Sequence, residues 1–195
     1  AGLTPKQEES LLAFMEQDAV YKKYRDEVII LLGTGLRISE FCGLTTALDF
    51  KNRQINVDHQ LLRDTDIGYY VETPKTKKGI RQIPMSEEVY QALRRVLKNR
   101  SNAAPFSIEG YKNFLFLKND GMPKVAANYE SMLKGLVKKY NKQNKEQLPN
   151  ITPHILRHTF CTRLANAGMN PKALQYIMGH ANITMTLNYY AHATY

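Results

Sequence analysis

Acidic side chains are absent from the last part of the sequence. Residues Thr152–Tyr195 contain no aspartate or glutamate, yet they hold four of the five histidines in the chain. Metal-dependent nucleases bind their ions with clustered carboxylates, so this segment does not fit that class of enzyme. A cationic segment without carboxylates is suited instead to contact an anion.

The chain is also poor in cysteine and in long apolar runs. Cys42 and Cys161 are its two cysteines, and they do not form a Cys-x-x-Cys pair. This predicts reduced, buried thiols in an intracellular protein and argues against a disulfide framework. The sequence has no run of about 18 apolar residues and no signal peptide at its start, so we expect a soluble, cytoplasmic protein without a membrane partner.

Charge is distributed unevenly over the 195 residues. Residues 1–50 carry five basic and eight acidic side chains, whereas residues 51–195 carry 22 basic and 10 acidic ones. A basic bulk of this kind favours a polyanionic partner. The length suits one domain with a hydrophobic core.

The apolar pattern predicts an α+β fold that is mostly helical. Helices are expected to begin near Thr4, Lys22, Arg37, Ser86, Ala126 and Thr152. Between residues 54 and 85 the period changes, and three short runs rich in β-forming residues predict one small three-stranded antiparallel sheet. Lys75, Lys77 and Lys78 lie in the hairpin predicted between its second and third strands.

The helix predicted from Thr152 carries a cationic pair. Thr152 suits the N-cap position, and His154 and Arg157 then share one face close to the helix start. The unpaired amides and the dipole at a helix N-terminus favour a phosphate there. On the helix alone, an exposed histidine and arginine are more often a solvated face.

Arg37 and the lysines are the other cationic candidates. Arg37 follows a glycine-rich turn, where its guanidinium could bind two phosphate oxygens, although a surface ion pair with Glu40 is the simpler local interpretation. A lysine on a flexible loop can contact phosphate or donate a proton. For Lys77 and Lys78, solvated charge with some contact to a nucleic-acid backbone is the simpler interpretation.

A metal site is the alternative use of the histidines. His154 and His158 stand at positions i and i+4, a spacing that can share a zinc ion. The glutamate that a zinc protease needs after the first histidine is missing, and Cys161 lies seven residues from His154 on the same helix. We therefore predict no metal site and interpret His158 as a packed histidine that anchors the helix.

Several motifs, taken together, resemble a known family. Four motifs of this sequence resemble the signature of the tyrosine recombinases, or phage integrases. They are T-G-L-R-I-S-E at residues 34–40, H-I-L-R-H at 154–158, Gly179-His180, and Tyr190-x-His192. Within the family, the residues around these motifs, such as L-N-Y-Y-A-H at 187–192, are most similar to those of integrases from conjugative transposons and Gram-positive phages. This resemblance extends over nearly the whole chain.

The resemblance implies a role for each cationic candidate. Arg37 and Arg157 would bind the oxygens of the scissile DNA phosphate. His154 and His180 would add hydrogen bonds or accept the proton of the attacking tyrosine. Lys75 would protonate the departing 5′-oxygen, and the product would be a 3′-phosphotyrosyl link.

The attacking group is one of two adjacent tyrosines. Tyr189 and Tyr190 lie nine and ten residues after His180, and both spacings occur in the family. On a helix the two rings point about 100° apart, so they cannot both face the site. The Tyr-x-His pattern favours Tyr190, and Tyr195 lies too close to the end of the chain.

Supporting roles follow from the same resemblance. Glu40 and His158 would orient the site, whereas Lys77 and Lys78 would contact DNA. Lys77 is also the alternative to Lys75 as proton donor.

The implied function is that of a site-specific DNA recombinase of a mobile element. Its partner would be double-stranded DNA in the bacterial nucleoid, and it would need no metal, nucleotide or other cofactor. The alternatives are a type IB topoisomerase and a DNA-binding module without catalysis. We expect residues 1–195 to be the catalytic domain, without the N-terminal DNA-binding domains of a longer protein that acts as a tetramer; alone, this part is expected to exist as a monomer.

Overall fold

The computed structural model describes residues 2–101 and 106–191, and the predicted α+β class with mostly helical content is confirmed. In these residues the elements are α1 (Pro5–Gln17), α2 (Arg25–Thr34), α3 (Ile38–Cys42), β1 (Gln54–Val57), β2 (Gln60–Asp64), β3 (Gly68–Glu72), β4 (Arg81–Pro84), α4 (Glu87–Asn99), β5 (Ser107–Ile108), β6 (Tyr111–Lys112), α5 (Ala126–Gln143), α6 (Pro153–Asn166), α7 (Pro171–Met178) and α8 (Ile183–Ala191). Two single 3₁₀ turns occur at Lys22–Tyr24 and Lys77–Gly79.

Hydroxyl side chains fix where three of the helices begin. Thr4, Ser86 and Thr152 each accept a backbone N–H from the first turn of α1, α4 and α6, at 3.1, 3.2 and 3.2 Å. A helix leaves these first amides without internal partners, so a capping oxygen stabilises one particular start. The starts predicted at these residues are therefore confirmed.

The helix α2 runs through the middle of the molecule. Val28, Ile30, Leu31 and Leu32 on it are each no more than 2% exposed. It packs against α4 on one side and α6 on the other, as expected for a helix that is apolar all round. Its C-terminal end leads directly to Arg37, so this arginine is presented from the core and not from a peripheral loop.

The remaining apolar segments pack onto this centre. The run Phe114–Leu117, predicted as a short strand or a core anchor, is an anchor: Phe116 stacks on Phe41 with 4.0 Å between ring centroids. The predicted loop Asn141–Asn150 begins inside α5, which extends to Gln143. No helix among residues 2–101 and 106–191 is long and apolar enough to cross a membrane.

The predicted three-stranded sheet is wrong in its pairing. Residues Gln60–Asp64 also form a strand, β2, which pairs with β3. Strand β4 pairs instead with β1, with Ile55 opposite Ile83, so the region contains two separate antiparallel ladders of two strands each. The strand β2 was missed because Leu61 and Leu62 are adjacent and break the alternation of apolar and polar residues that indicates a strand.

This pairing changes the nature of the lysine segment, residues 74–80, which we call the lysine loop. Its flanking strands β3 and β4 belong to different ladders, so the loop is a crossover and not the turn of a hairpin. Strand partners depend on contacts far apart in the sequence, and a local pattern does not specify them.

Candidate active site

A cleft of about 510 Å³ opens where the ends of α2, α6 and α7 approach α8. It brings together half of the predicted site residues: Arg37, His154, Arg157, His158 and His180. Among the described residues, its lining contains no acidic side chain and is completed by Leu36, Ile38, Pro153, Met185, Asn188 and Tyr189. A larger cleft of about 710 Å³, between α1, α4 and the other face of α6, holds none of the predicted site residues.

Arg157 forms the buried base of the cleft. Its side chain donates to the carbonyl oxygen of Gly35 and, at 2.7 Å, to that of Met178. Burial, and to a smaller extent the positive charge of Arg37 nearby, lower the pKa of Arg157 to about 10. The Arg157 side chain therefore remains charged at neutral pH. Two guanidinium groups that repel each other across a cleft without carboxylates create a site for an anion.

Arg37 occupies the N-cap position of α3 at the rim of the cleft. Its backbone N–H donates to Glu40 Oε1 at 2.9 Å, and its guanidinium lies 3.6 Å from Glu40 Oε2. The local pair with Glu40 therefore exists, but Glu40 is only 4% exposed and does not line the cleft. This leaves the Arg37 side chain, which is partly exposed, available to a ligand.

Arg81 is a buried partner that the sequence analysis missed. Its guanidinium donates to both carboxylate oxygens of Glu40, at 2.7 and 2.9 Å. Burial raises the pKa of Glu40, but the hydrogen bonds and charge of Arg81, with smaller contributions from Arg37, outweigh it and hold that pKa below its usual value. The available signal was the strand alternation of β4, because Arg81 shares its inward face with Ile83.

His180 lies directly after α7 and is 4% exposed. The chain reaches it through Gly179, whose φ of 68° ends the helix in the left-handed region. Its Nδ1 lies 2.8 Å from the hydroxyl of Thr186 on α8. Burial lowers the pKa of His180 to about 4, and the charges of Arg157 and Arg37 add to this effect, so the ring is neutral at neutral pH.

The two histidines of α6 lie next to each other on the cleft wall. The rings of His154 and His158 are 4.4 Å apart and nearly perpendicular. His154 is exposed at the first turn of the helix, whereas His158 packs deeper, with its ring 5.1 Å from that of Tyr189. In the part of the chain that the structure describes, no three His, Cys, Asp or Glu side chains cluster so that they could hold a metal ion.

The structure places Tyr189, and not Tyr190, on the wall of the cleft. The ring of Tyr189 lies nearly parallel to that of His180, with centroids 6.2 Å apart, and burial raises the pKa of its hydroxyl to about 12. Tyr190 points away and donates its hydroxyl proton to the carbonyl of Met169. His192, the second member of the Tyr-x-His pattern, lies outside the described residues.

The lysine loop lies outside the cleft lining, beside the turn that carries His180. Lys75, Lys77 and Lys78 are exposed. The ammonium of Lys78 donates to the carbonyl of Ala181 at 3.0 Å, which joins the loop to the residue after His180. The predicted site residues thus comprise a cleft group, an adjacent exposed group of three lysines, and two residues outside both, Tyr190 and the buried Glu40.

Known proteins of one family resemble this chain in sequence and in fold. A profile of the phage integrase family matches residues 2–195. The chain belongs to the phage integrase family. Its mostly helical fold with small antiparallel sheets is that of the solved Tn1549 transposon integrase in complex with circular intermediate DNA, with a TM-score of 0.95 and 66% identity over 100% of this chain and 64% of that one. The XerA recombinase has the same fold at a TM-score of 0.72 and 27% identity, over 97% of this chain and 58% of that one.

The curated relatives of this phage integrase domain include transposon proteins. The transposase from transposon Tn916 of Enterococcus faecalis is 69% identical over 194 residues, which cover 99% of this chain and 48% of that protein. The tyrosine recombinase XerC of Bacillus subtilis is 29% identical over 198 residues, 95% of this chain and 59% of the relative. The predicted resemblance to transposon integrases is confirmed, and the chain spans about half the length of its transposon relatives.

Proposed function

We propose that residues 1–195 are the catalytic domain of a site-specific DNA recombinase that integrates or excises a mobile element. The observation that carries this proposal is the cleft, in which Arg37, Arg157, His154 and His180 converge and no described lining residue is a carboxylate. Such a site can stabilise a phosphoryl-transfer transition state with side chains alone. No metal or other cofactor enters the proposed reaction.

The two arginines would bind the non-bridging oxygens of one DNA phosphate. Arg157 is preorganised because two backbone carbonyls hold its guanidinium, so little motion is needed when charge develops on the phosphate. Arg37 would complete the clamp from the rim. Burial is the main cause of the lowered pKa of Arg157, and an anion bound between the arginines would offset the second cause, the repulsion from Arg37.

The histidines and a lysine would provide the hydrogen bonds and proton transfers of the reaction. Burial and the nearby arginines lower the pKa of His180, so it would accept the proton of the attacking hydroxyl once a bound phosphate offsets those positive charges. His154 would donate a hydrogen bond to the phosphate from the α6 N-terminus. Lys75 would protonate the 5′-oxygen that leaves, with Lys77 as the alternative in the same loop. Glu40 would hold Arg37 from behind, and His158 would pack between His154 and Tyr189.

Tyr190 is the proposed nucleophile, although Tyr189 lines the cleft in the structure. Burial raises the pKa of Tyr189 to about 12, which disfavours the phenolate that must attack phosphorus. Turning the end of α8 by about 100° would exchange the two rings. That turn would break the hydrogen bond from Tyr190 to Met169, whereas Thr186 is the one residue of α8 that is buried within the described part of the chain.

A matched pair of variants tests which tyrosine attacks. A nicked duplex that carries transposon ends traps the covalent adduct, because the short cleaved strand diffuses away. We expect Tyr190→Phe to abolish the adduct, while Tyr189→Phe forms it at a similar or lower rate, because a hydroxyl is lost from the cleft wall but the nucleophile remains. The measurement is adduct on a denaturing gel. Adduct that persists in Tyr190→Phe and disappears in Tyr189→Phe would assign the attack to Tyr189.

The proposed partner is double-stranded DNA at a recombination site, to which Lys77 and Lys78 would also bind. Support comes from the related Tn1549 integrase, whose solved structures hold DNA. We propose a tetramer on DNA for the full-length protein and a monomer for this part alone, acting at the bacterial nucleoid. Membership in a recombinase family favours this function over a type IB topoisomerase, which would relax supercoils without strand exchange, and over a non-catalytic module, which would form no adduct.

A further inference from the structure

The guanidinium of Arg81 connects three separate parts of the molecule. Besides its two bonds to Glu40, it donates to the carbonyl of Ile177 at 2.7 Å and to that of Gly79 at 3.0 Å. Its side chain is fully buried. A buried ion pair contributes little net stability compared with apolar residues of similar size, so stability alone does not account for this arrangement.

Each of these contacts leads to a different part of the proposed site. Glu40 lies behind Arg37, and Ile177 is in the last turn of α7, which presents His180. Gly79 closes the lysine loop, where its N–H also donates to Thr76 at 3.2 Å. One rigid, planar group therefore fixes the loop relative to both walls of the cleft.

We propose that Arg81 is a positioning residue for the leaving-group step, and that it holds the lysine loop where a lysine can reach the departing 5′-oxygen. This inference rests on the function proposed above. The exposed lysines of the loop have flexible side chains, so the placement of their backbone decides whether an ammonium can reach the cleft. Arg81 sets that placement through Gly79, with Glu40 and Ile177 as its fixed supports.

The surroundings leave the guanidinium little room to move. A methyl group at Gly179 would lie 2.9 Å from Arg81 Cζ, so the turn before His180 packs directly against it. A lysine at position 81 keeps a positive charge opposite Glu40, and we expect Arg81→Lys to fold. A single ammonium cannot donate to Glu40, Ile177 and Gly79 in the same geometry, so the loop should lose its anchor at Gly79 and keep the bond from Lys78 to Ala181.

A change of leaving group separates this role from a general effect on the fold. We would compare two nicked duplexes, one with the normal 5′-bridging oxygen at the cleaved bond and one with sulfur there. A thiol has a pKa of about 8.5, so a thiolate leaves without the proton that an alkoxide requires. For Arg81→Lys we expect cleavage of the oxygen substrate to slow by roughly 10²-fold, the usual contribution of a general acid, and cleavage of the sulfur substrate to stay near the wild-type rate.

Three further variants complete the comparison. The double variant Lys75→Ala, Lys77→Ala gives the ratio of the two cleavage rates when both candidate proton donors are absent. Arg53→Lys is the matched control, because Arg53 forms an exposed ion pair with Glu87 away from the cleft, and it should cleave both substrates like wild type.

Gly79→Ala guards against a folding defect in Arg81→Lys. It keeps the buried pair but puts a methyl group 2.5 Å from Pro74 Cβ, which must displace the loop. The same selective loss on the oxygen substrate is expected.

The outcomes distinguish the two proposals. If wild type forms adduct but Arg81→Lys and Gly79→Ala slow both substrates equally, or slow neither, Arg81 does not position the leaving-group lysine. If wild type forms no adduct on either substrate, the proposed function itself fails. Melting temperature and DNA binding, measured for every variant, confirm that the compared proteins are folded and bind the duplex.

Discussion

At the scale of single residues, two buried arginines meet at the end of α7. The last four carbonyls of a helix have no partner within it, and they form its negative end. Here the guanidinium of Arg81 donates to the carbonyl of Ile177, and that of Arg157 donates to the carbonyl of Met178. The two preceding carbonyls, of Tyr176 and Gln175, accept the backbone N–H groups of Gly179 and His180. The turn that carries His180 is thus fixed by the same cations that form and support the anion site.

The neutral state of His180 makes folding stability depend on pH. Its pKa is lowered from 6.5 to about 4 by burial and by the adjacent arginines. Between these two pH values, the ring is protonated in the unfolded chain and neutral in the folded chain. Stability from this source is present above pH 6.5 and is lost as pH falls towards 4, to an extent of about 3 kcal/mol at most.

Urea unfolding at pH 7 and pH 4.5 measures this effect. Wild type should lose more unfolding free energy between the two pH values than His180→Gln, which carries no titrating ring at that position. The other titrating groups are the same in both proteins and cancel in the comparison. Equal losses would mean that the His180 ring is not held neutral by its surroundings.

At the scale of elements, the turn between α2 and α3 sets the position of both cleft arginines. Gly35 has a φ of 66°, and a methyl group there would lie 2.3 Å from Phe160 Cδ2. Its carbonyl accepts a hydrogen bond from Arg157, and Arg37 follows two residues later. Any shift of this turn therefore moves the two guanidinium groups together.

Gly35→Ala should accordingly be destabilising, and Gly168→Ala is its matched control. Gly168 also has a positive φ, of 83°, but a methyl group there meets nothing within 4 Å. The backbone strain of about 1 kcal/mol is common to both substitutions, so the excess loss of unfolding free energy in Gly35→Ala, about 1–3 kcal/mol, reports the clash with Phe160. Denaturant unfolding of both variants gives this difference, and equal losses would show that the turn tolerates displacement.

Elements with local signals were predictable from the sequence, whereas those that depend on distant partners were not. Hydroxyl caps fixed the starts of α1, α4 and α6, and the face shared by His154 and Arg157 followed from helical geometry. The pairing of β2 with β3 and the burial of Arg81 depend on contacts across the fold. Which of the two tyrosines faces the cleft depends on how α8 packs, and the spacing after His180 allowed both.

At the scale of the whole molecule, the cleft combines residues from the two ends of the chain. Arg37 comes from the first quarter, and His154, Arg157 and His180 come from the last, so the site exists only when α2 and α6 pack together. The intervening part supplies the lysine loop and most of the positive charge. An anionic polymer that contacts the loop and the cleft at once would meet positive groups from both.

Formation of a covalent link to DNA in the absence of metal is the decisive test of the proposed recombinase activity. We would incubate the protein with a nicked duplex of transposon ends, labelled at the 5′-end of the cleaved strand, in the presence of a chelator. We expect the label to migrate with the protein, because the strand is attached through its 3′-phosphate to tyrosine. Cleavage that leaves the label on free DNA, or that requires a divalent metal ion, would contradict it.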